Sequence, residues 1–213
     1  TLAQYWQQTG ISIELEGHGR ESYVLDTKRA LDLSRTVGWF TARYPQKFFV
    51  NHDDVAKNLI THKEQLRCIP DKGLGYGLLR YLNPELNQNV NPWSDSSLVS
   101  FNYLGKQKST ISENFSLEHG LTSNTRAKEN LRPHLLDINI MIYNQQLYID
   151  WCYAPDHPRF TQVENLIKNF EQNVIEITNH CLAPNNGRAT AVDFPLANID
   201  DNAFLSLLTE LSD

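Results

Sequence analysis

Six consecutive residues near the start of the 213-residue chain, Glu16-Gly-His-Gly-Arg-Glu21, set two carboxylates, an imidazole and a guanidinium on a turn that two glycines make flexible. Such a cluster can move protons. A carboxylate that acts as a base near neutrality needs its pKa raised by desolvation or by a neighbouring like charge, and Arg20 could position an anion or restrain Glu21. The same residues also describe a surface hairpin tip whose charges pair with one another. A second segment, Gly73-Leu-Gly-Tyr-Gly77, invites comparison with phosphate-binding loops. It has neither the Gly-x-Gly-x-x-Gly spacing nor the Lys-Ser/Thr of a P-loop, which disfavours nucleotide binding. Three glycines around Tyr76 let backbone pass close to another segment or line a narrow channel. The seven histidines include no His-Glu-x-x-His pattern and there is no Gly-x-Ser-x-Gly elbow, so no metal site is expected and the commonest serine hydrolase signature is missing.

Composition narrows the classes further. With 40% hydrophobic and 21% charged residues the chain is globular, and 19 basic against 25 acidic residues give a net charge of −6, with no basic footprint for nucleic acid. Apolar runs such as Val37–Phe40 and Ile138–Tyr143 are far below the roughly 20 residues of a membrane span, so no membrane association is expected. The opening Thr-Leu-Ala-Gln-Tyr-Trp has no secretory pattern, and a cytoplasmic setting is the default expectation. Cys68, Cys152 and Cys181, odd in number and widely spaced, predict packing roles rather than disulfides. A start at Thr1, inside what reads as a helix, predicts a piece of a longer polypeptide.

These residues must be held by elements that the pattern partly reveals. Leu2–Gln8 reads as the last turns of a helix, and Ile11–Glu16 alternates as a strand. Gly17-His-Gly19 turns the chain toward a returning strand at Arg20–Leu25. Arg35–Thr41 is rich in strand formers and is expected to end at Pro45. Asp53 or Asp54 caps a helix that closes before Pro70, Gly73–Gly77 is a loop, and Leu78–Leu82 is a short helix. Leu98–Leu104 alternates as a strand. Residues 106–132 carry little periodic signal apart from a candidate short strand at Thr110–Phe115. Leu135–Tyr143 and Leu147–Tyr153 form the clearest hairpin, Thr161–His180 is a helix with a wide apolar stripe, Cys181–Asp200 a linker, and Asp201–Leu211 an amphipathic helix. The alternation lacks βα regularity. It predicts an α/β fold of the α+β kind, a mixed sheet with flanking helices.

Four segments in order resemble one family, the epimerization domains of nonribosomal peptide synthetases within the condensation-domain superfamily. They are Glu16-Gly-His-Gly-Arg-Glu21, Arg35-Thr-Val-Gly-Trp-Phe-Thr-Ala-Arg-Tyr-Pro45, Pro70-Asp-Lys-Gly-Leu-Gly-Tyr-Gly77 and Phe101-Asn-Tyr-Leu-Gly105. The resemblance covers residues 1–182, leaving 183–213 as linker and short C-terminal helix. It implies a lobe of a chloramphenicol acetyltransferase-like fold. It also implies proton exchange at the α-carbon of an aminoacyl or peptidyl thioester, carried on the phosphopantetheine arm of a carrier domain, with no cofactor bound directly. By the same resemblance Glu16 is the catalytic carboxylate, and Asn102, Tyr103 and Arg20 are the other matched active-site positions. Gly75, Tyr76 and Gly77 are placed along the substrate path. Asn102 and Tyr103 fall on opposite faces of a regular strand, so a shared site would require a bulge. The family's His-His-x-x-x-Asp-Gly element is absent. The resemblance therefore implies a C-terminal lobe, inactive by itself, whose partners are the N-terminal lobe, a peptidyl carrier domain and adjacent synthetase domains. A noncatalytic lobe that binds or organises carrier domains is the alternative that the absent motif leaves open.

Overall fold

Alternating apolar and polar residues build the sheet that carries the first and last of those segments. The computed structural model describes residues 1–20, 32–50, 54–83, 85, 98–107, 110–112, 115–116, 127, 129–184, 189–194, 197 and 199–210. The strands are β1 (Gly10–Gly17), β2 (Ala42–Phe49), β3 (Val99–Gln107), β4 (Thr110–Ser112), β5 (Phe115–Ser116), β6 (Leu136–Tyr143) and β7 (Gln146–Tyr153). Five form a mixed sheet in the order β2-β1-β3-β6-β7, and β4 pairs with β5 separately. β1 runs parallel to β3 and β3 parallel to β6, whereas β6 and β7 are an antiparallel hairpin. Its turn residues Asn144 and Gln145 both have positive φ, 48° and 64°, the geometry that matches the twist of a two-residue hairpin.

Register divides the sheet into two chemically distinct faces. Leu15, Phe101, Ile138 and Trp151 lie level with one another on one face. Its centre is buried at Val99, Leu136, Ile138 and Ile140, and Phe160 of the following turn lies 5.5 Å from Tyr153. The other face carries Glu14, Ser100, Asp137 and Cys152 in one row. The helices are α1 (Leu2–Tyr5), α2 (Val55–Arg67), α3 (Leu74–Leu82), α4 (Val163–Leu182) and α5 (Asp201–Glu210). The fold is thus mixed α/β, as expected.

Three expectations change. Arg35–Thr41 is not a strand: Arg20 donates to the carbonyl oxygens of Leu33 and Thr36 at 2.7 Å each, while Val37 and Trp39 are 98% and 90% exposed. Strand propensity without sheet neighbours does not make a strand. The strand lies instead at Ala42–Phe49 and passes through Pro45, which β2 tolerates as an edge strand, paired on one side only. Cys68, Cys152 and Cys181 are exposed and unbridged rather than packed. The return strand expected from Arg20 lies, beyond that residue, outside the described residues.

The chain divides into two compact units. One comprises Thr1–Ile11, Phe48–Ile69 and Gln162–Asp213, the other Ser12–Lys47 and Pro70–Thr161. In the first, α2 starts at Asp54, whose side chain accepts from the Lys57 backbone N–H at 2.8 Å, and packs against α4. Asp193 binds Lys63 at 2.8 Å and Arg67 at 2.7 Å, and Phe194 lies 5.5 Å from the buried Phe204. The segment read as a linker therefore docks α5 on this unit. Among the described residues no helix is long and apolar enough to cross a membrane.

Candidate functional site

The second unit gathers the chemistry-bearing residues on the polar face of the sheet. Glu14 and Glu16 share that face of β1, and the register of β1 with β3 runs Glu14 to Ser100 and Leu15 to Phe101. One step further along the same parallel register brings Glu16 level with Asn102. Asn102 in turn pairs with Asn139 of β6, and Asn139 with Asp150 of β7. A polar row thus crosses four strands: Glu16, Asn102, Asn139, Asp150. Glu16 is exposed, whereas Asn102 and Asn139 are half-buried.

The row beneath is locked by charge. Arg43 of β2 donates from Nε to Glu14 Oε1 at 2.6 Å, with a second contact from Nη2. His134 is 6% exposed; its Nε2 lies 3.2 Å from Glu14 Oε1 and its Nδ1 3.2 Å from Asp137 Oδ1. Arg132 donates to Asp137 Oδ2 at 2.9 Å and to the Cys152 carbonyl at 2.8 Å. The imidazole bridges β1 and β6 across β3, where the intervening residue is the small, buried Ser100. Both ring nitrogens lie within reach of a carboxylate oxygen, one on each side of the ring. A polar chain thus runs Arg43, Glu14, His134, Asp137, Arg132, with the imidazole between two carboxylates and a guanidinium at each end. Burial alone would raise the Glu14 carboxyl, but hydrogen bonds from His134 and Arg43 and their charges outweigh it and hold the group below the usual carboxylate range.

Glu14 and Arg43 also wall a cavity of about 600 Å³ that α3 covers with Leu74, Tyr76, Gly77 and Arg80. Here the expected loop is helical: α3 begins at Leu74, immediately after Gly73, so Gly75 and Gly77 lie within a helix. Gly73 itself is required, because its φ is 83° and a Cβ there would stand 2.0 Å from the Tyr44 ring. Gly75 and Gly77 meet nothing within 4 Å of such an atom. Two helical glycines, each about 1 kcal/mol worse than Ala, keep open space beside the chain with no packing need for it. Gly73→Ala is therefore expected to lower the melting temperature, since left-handed backbone alone costs about 1–2 kcal/mol, while Gly75→Ala leaves it unchanged or raises it. Thermal melts of the two variants check this; equal losses would contradict it.

The sequence-predicted residues separate into groups. Glu16 and Asn102 come together on one face, and Tyr76 and Gly77 line the cavity, which Gly75 does not. Tyr103 projects from the opposite face, level with Ile140, and is 54% exposed. The register does shift, but only between Tyr103 and Lys106, so the bulge comes too late to bring Tyr103 round to Asn102. Arg20 stacks over the Phe40 ring at 4.2 Å while its guanidinium binds the carbonyls of Leu33 and Thr36. It braces the turn. His18 accepts the Arg20 backbone N–H at Nδ1, 2.9 Å away. Glu14, His134 and Asn139 were missed by sequence reasoning. Only the alternation Leu-Asp-Ile-Asn-Ile within an apolar run hinted at a polar face there.

Comparison with known proteins places this arrangement. The family described as Condensation domain matches residues 1–194. The chain belongs to the condensation-domain family. Its curated relatives are subunits of nonribosomal peptide synthetases. Over 206 residues it is 37% identical to a component of the linear gramicidin synthase of Brevibacillus parabrevis, covering 94% of this chain and 3% of that protein. Over 213 residues it is 34% identical to surfactin synthase subunit 1 of Bacillus subtilis (strain 168), covering 99% of this chain and 6% of that one. This condensation-family chain thus spans a small fraction of the relatives it matches. Among solved structures, the epimerization domain from the third module of tyrocidine synthetase B matches with a TM-score of 0.71 and 30% identity, over 84% of this chain and 39% of that one. The condensation domain of the Monacolin K polyketide synthase shares the fold, with a TM-score of 0.51 and 18% identity over 83% of this chain and 39% of that one.

Proposed function

We propose that this chain is part of an epimerization domain that converts an L-aminoacyl or L-peptidyl thioester, held on the phosphopantetheine arm of a carrier domain, toward the D form by exchange of the α-proton. The observation that carries the reading is the parallel register of β1 with β3, Glu14 to Ser100 and Leu15 to Phe101, which continued by one residue sets Glu16 beside Asn102. A thioester acidifies its α-carbon relative to an amide, so a positioned carboxylate can remove the proton if the developing oxyanion finds hydrogen-bond donors. Glu16 is the base or acid and Asn102 a donor. The open space beside Gly75 and Gly77, next to Tyr76, suits passage of the substrate. Tyr103 and Arg20 are assigned no step, the first because it faces the other way and the second because its guanidinium is engaged in the turn.

The similarity to an epimerization domain, with a TM-score of 0.71 at 30% identity, supports this reading. Glu16 is exposed in this lobe. An N-terminal lobe of the same domain would close over it, exclude water and supply the second acid–base group. The carrier domain and adjacent synthetase domains are the further partners, in a cytoplasmic setting. The test is to load the carrier of the intact synthetase polypeptide with an L-aminoacyl or L-peptidyl group, release it and determine its chirality. An L/D mixture is expected. Material that stays entirely L would contradict the proposal: if the carrier still binds, the lobe only organises carriers, and if a second loaded carrier receives the acyl group, the reaction is condensation.

A further inference from the structure

We infer that Asn139 is a second carboxamide of the reaction centre, donating an N–H to the thioester oxygen beside Asn102 as charge develops there. The inference rests on the α-proton reading above. Asn139 is the Cα partner of Asn102 in the parallel register of β3 and β6, so both side chains leave the same face from strands about 4.8 Å apart. That spacing lets two amides converge on one oxygen. Glu16 continues the same row on the far side of Asn102, which sets a carboxylate for the α-carbon beside two donors for the adjoining carbonyl oxygen.

The surroundings of Asn139 leave its carboxamide uncommitted. It stands in mid-strand between Ile138 and Ile140, 3% and 8% exposed, where asparagine is a poor strand former. Asp137, two positions earlier on the same face, is bound by His134 and Arg132 and has a structural use. The Asn139 side chain makes no hydrogen bond among the described residues, even to Asp150, its antiparallel neighbour. The Asn102 side chain makes none there either. Two adjacent half-buried amides without protein partners are suited to a ligand that has two lone pairs to offer.

The electron balance is simple. As the base takes the α-proton, the C–H pair forms the π bond between the α-carbon and the carbonyl carbon, and the π pair of the carbonyl moves onto oxygen. The two amide N–H groups meet that oxygen. Reprotonation at the α-carbon reverses the flow, and no oxidant or reductant is required.

The test follows α-proton exchange on a loaded carrier in the intact synthetase polypeptide, in wild type, Asn139→Ala and Asn139→Asp. Loss of one oxyanion donor is expected to lower the exchange rate at saturating loaded carrier by about 10²-fold, with little change in the half-saturating carrier concentration. Asn139→Asp, similar in shape but without the N–H, should fall at least as far, and it decides the matter if the alanine variant fails to fold. Exchange within a few-fold of wild type in a folded Asn139 variant would overturn the inference while leaving the α-proton reading intact. A wild-type polypeptide that exchanges no α-proton would overturn both.

Discussion

Glu16→Gln in the intact synthetase polypeptide is expected to lower α-proton exchange on a carrier-bound thioester by about 10²–10⁴-fold, the usual contribution of a positioned general base. The same change should leave the melting temperature almost untouched. Glu16 is exposed and its side chain has no hydrogen-bond partner among the described residues, and substitutions at such positions stay within about 0.5 kcal/mol. Glu14 provides the contrast. It lies two residues earlier on the same face, is bound by Arg43 and His134, and should behave as a structural carboxylate whose loss destabilises the sheet. Exchange assays and melts of Glu16→Gln beside Glu14→Gln separate a reacting carboxylate from a supporting one. Retained exchange in Glu16→Gln would remove Glu16 from the chemistry.

The largest stability effect is expected at His134, whose ring links Glu14 of β1 to Asp137 of β6. His134→Ala leaves oxygens of both carboxylates without that partner, at about 1–3 kcal/mol for a buried acceptor left unsatisfied, with the lower end favoured because Arg43 and Arg132 still bind them. Acid should erode the difference. The folded-state pKa of Glu14 is lowered, partly by His134, so its contribution is complete above the ordinary carboxylate range and is lost as pH falls through the lowered value. Denaturant unfolding of wild type and His134→Ala should therefore differ most near neutrality and converge toward acid. A constant difference across that range, or no coupling between His134→Ala and Glu14→Gln in a double-mutant cycle, would contradict the charge-locked row.

Local chemistry made some of this legible in the sequence. The β6–β7 hairpin is marked by two β-branched runs around Asn144-Gln-Gln146, and the cap at Asp54 by its residue type ahead of an apolar period. Glu16 and Asn102 could be named from the motifs that resemble a family. Their shared level depends on β1 pairing with β3 across more than eighty residues, which no local pattern contains. The Arg43–Glu14–His134–Asp137–Arg132 chain draws on three separate segments for the same reason. Pro45 misled because a proline ends a strand only where its N–H is needed, and edge position is a property of the sheet rather than of the sequence. Gly73–Gly77 misled because one left-handed glycine, Gly73, caps the helix that the next two glycines then occupy.

The central claim, that this face of the sheet serves α-proton exchange, is tested most directly by incubating the intact synthetase polypeptide, its carrier loaded with an L-acyl thioester, in deuterated solvent. Mass spectrometry of the released acyl group then reads the α-position. One deuteron at the α-carbon is predicted, accumulating with appearance of the D form and lost in Glu16→Gln. An α-carbon that keeps its original proton while the polypeptide remains folded and its carrier loaded would contradict it.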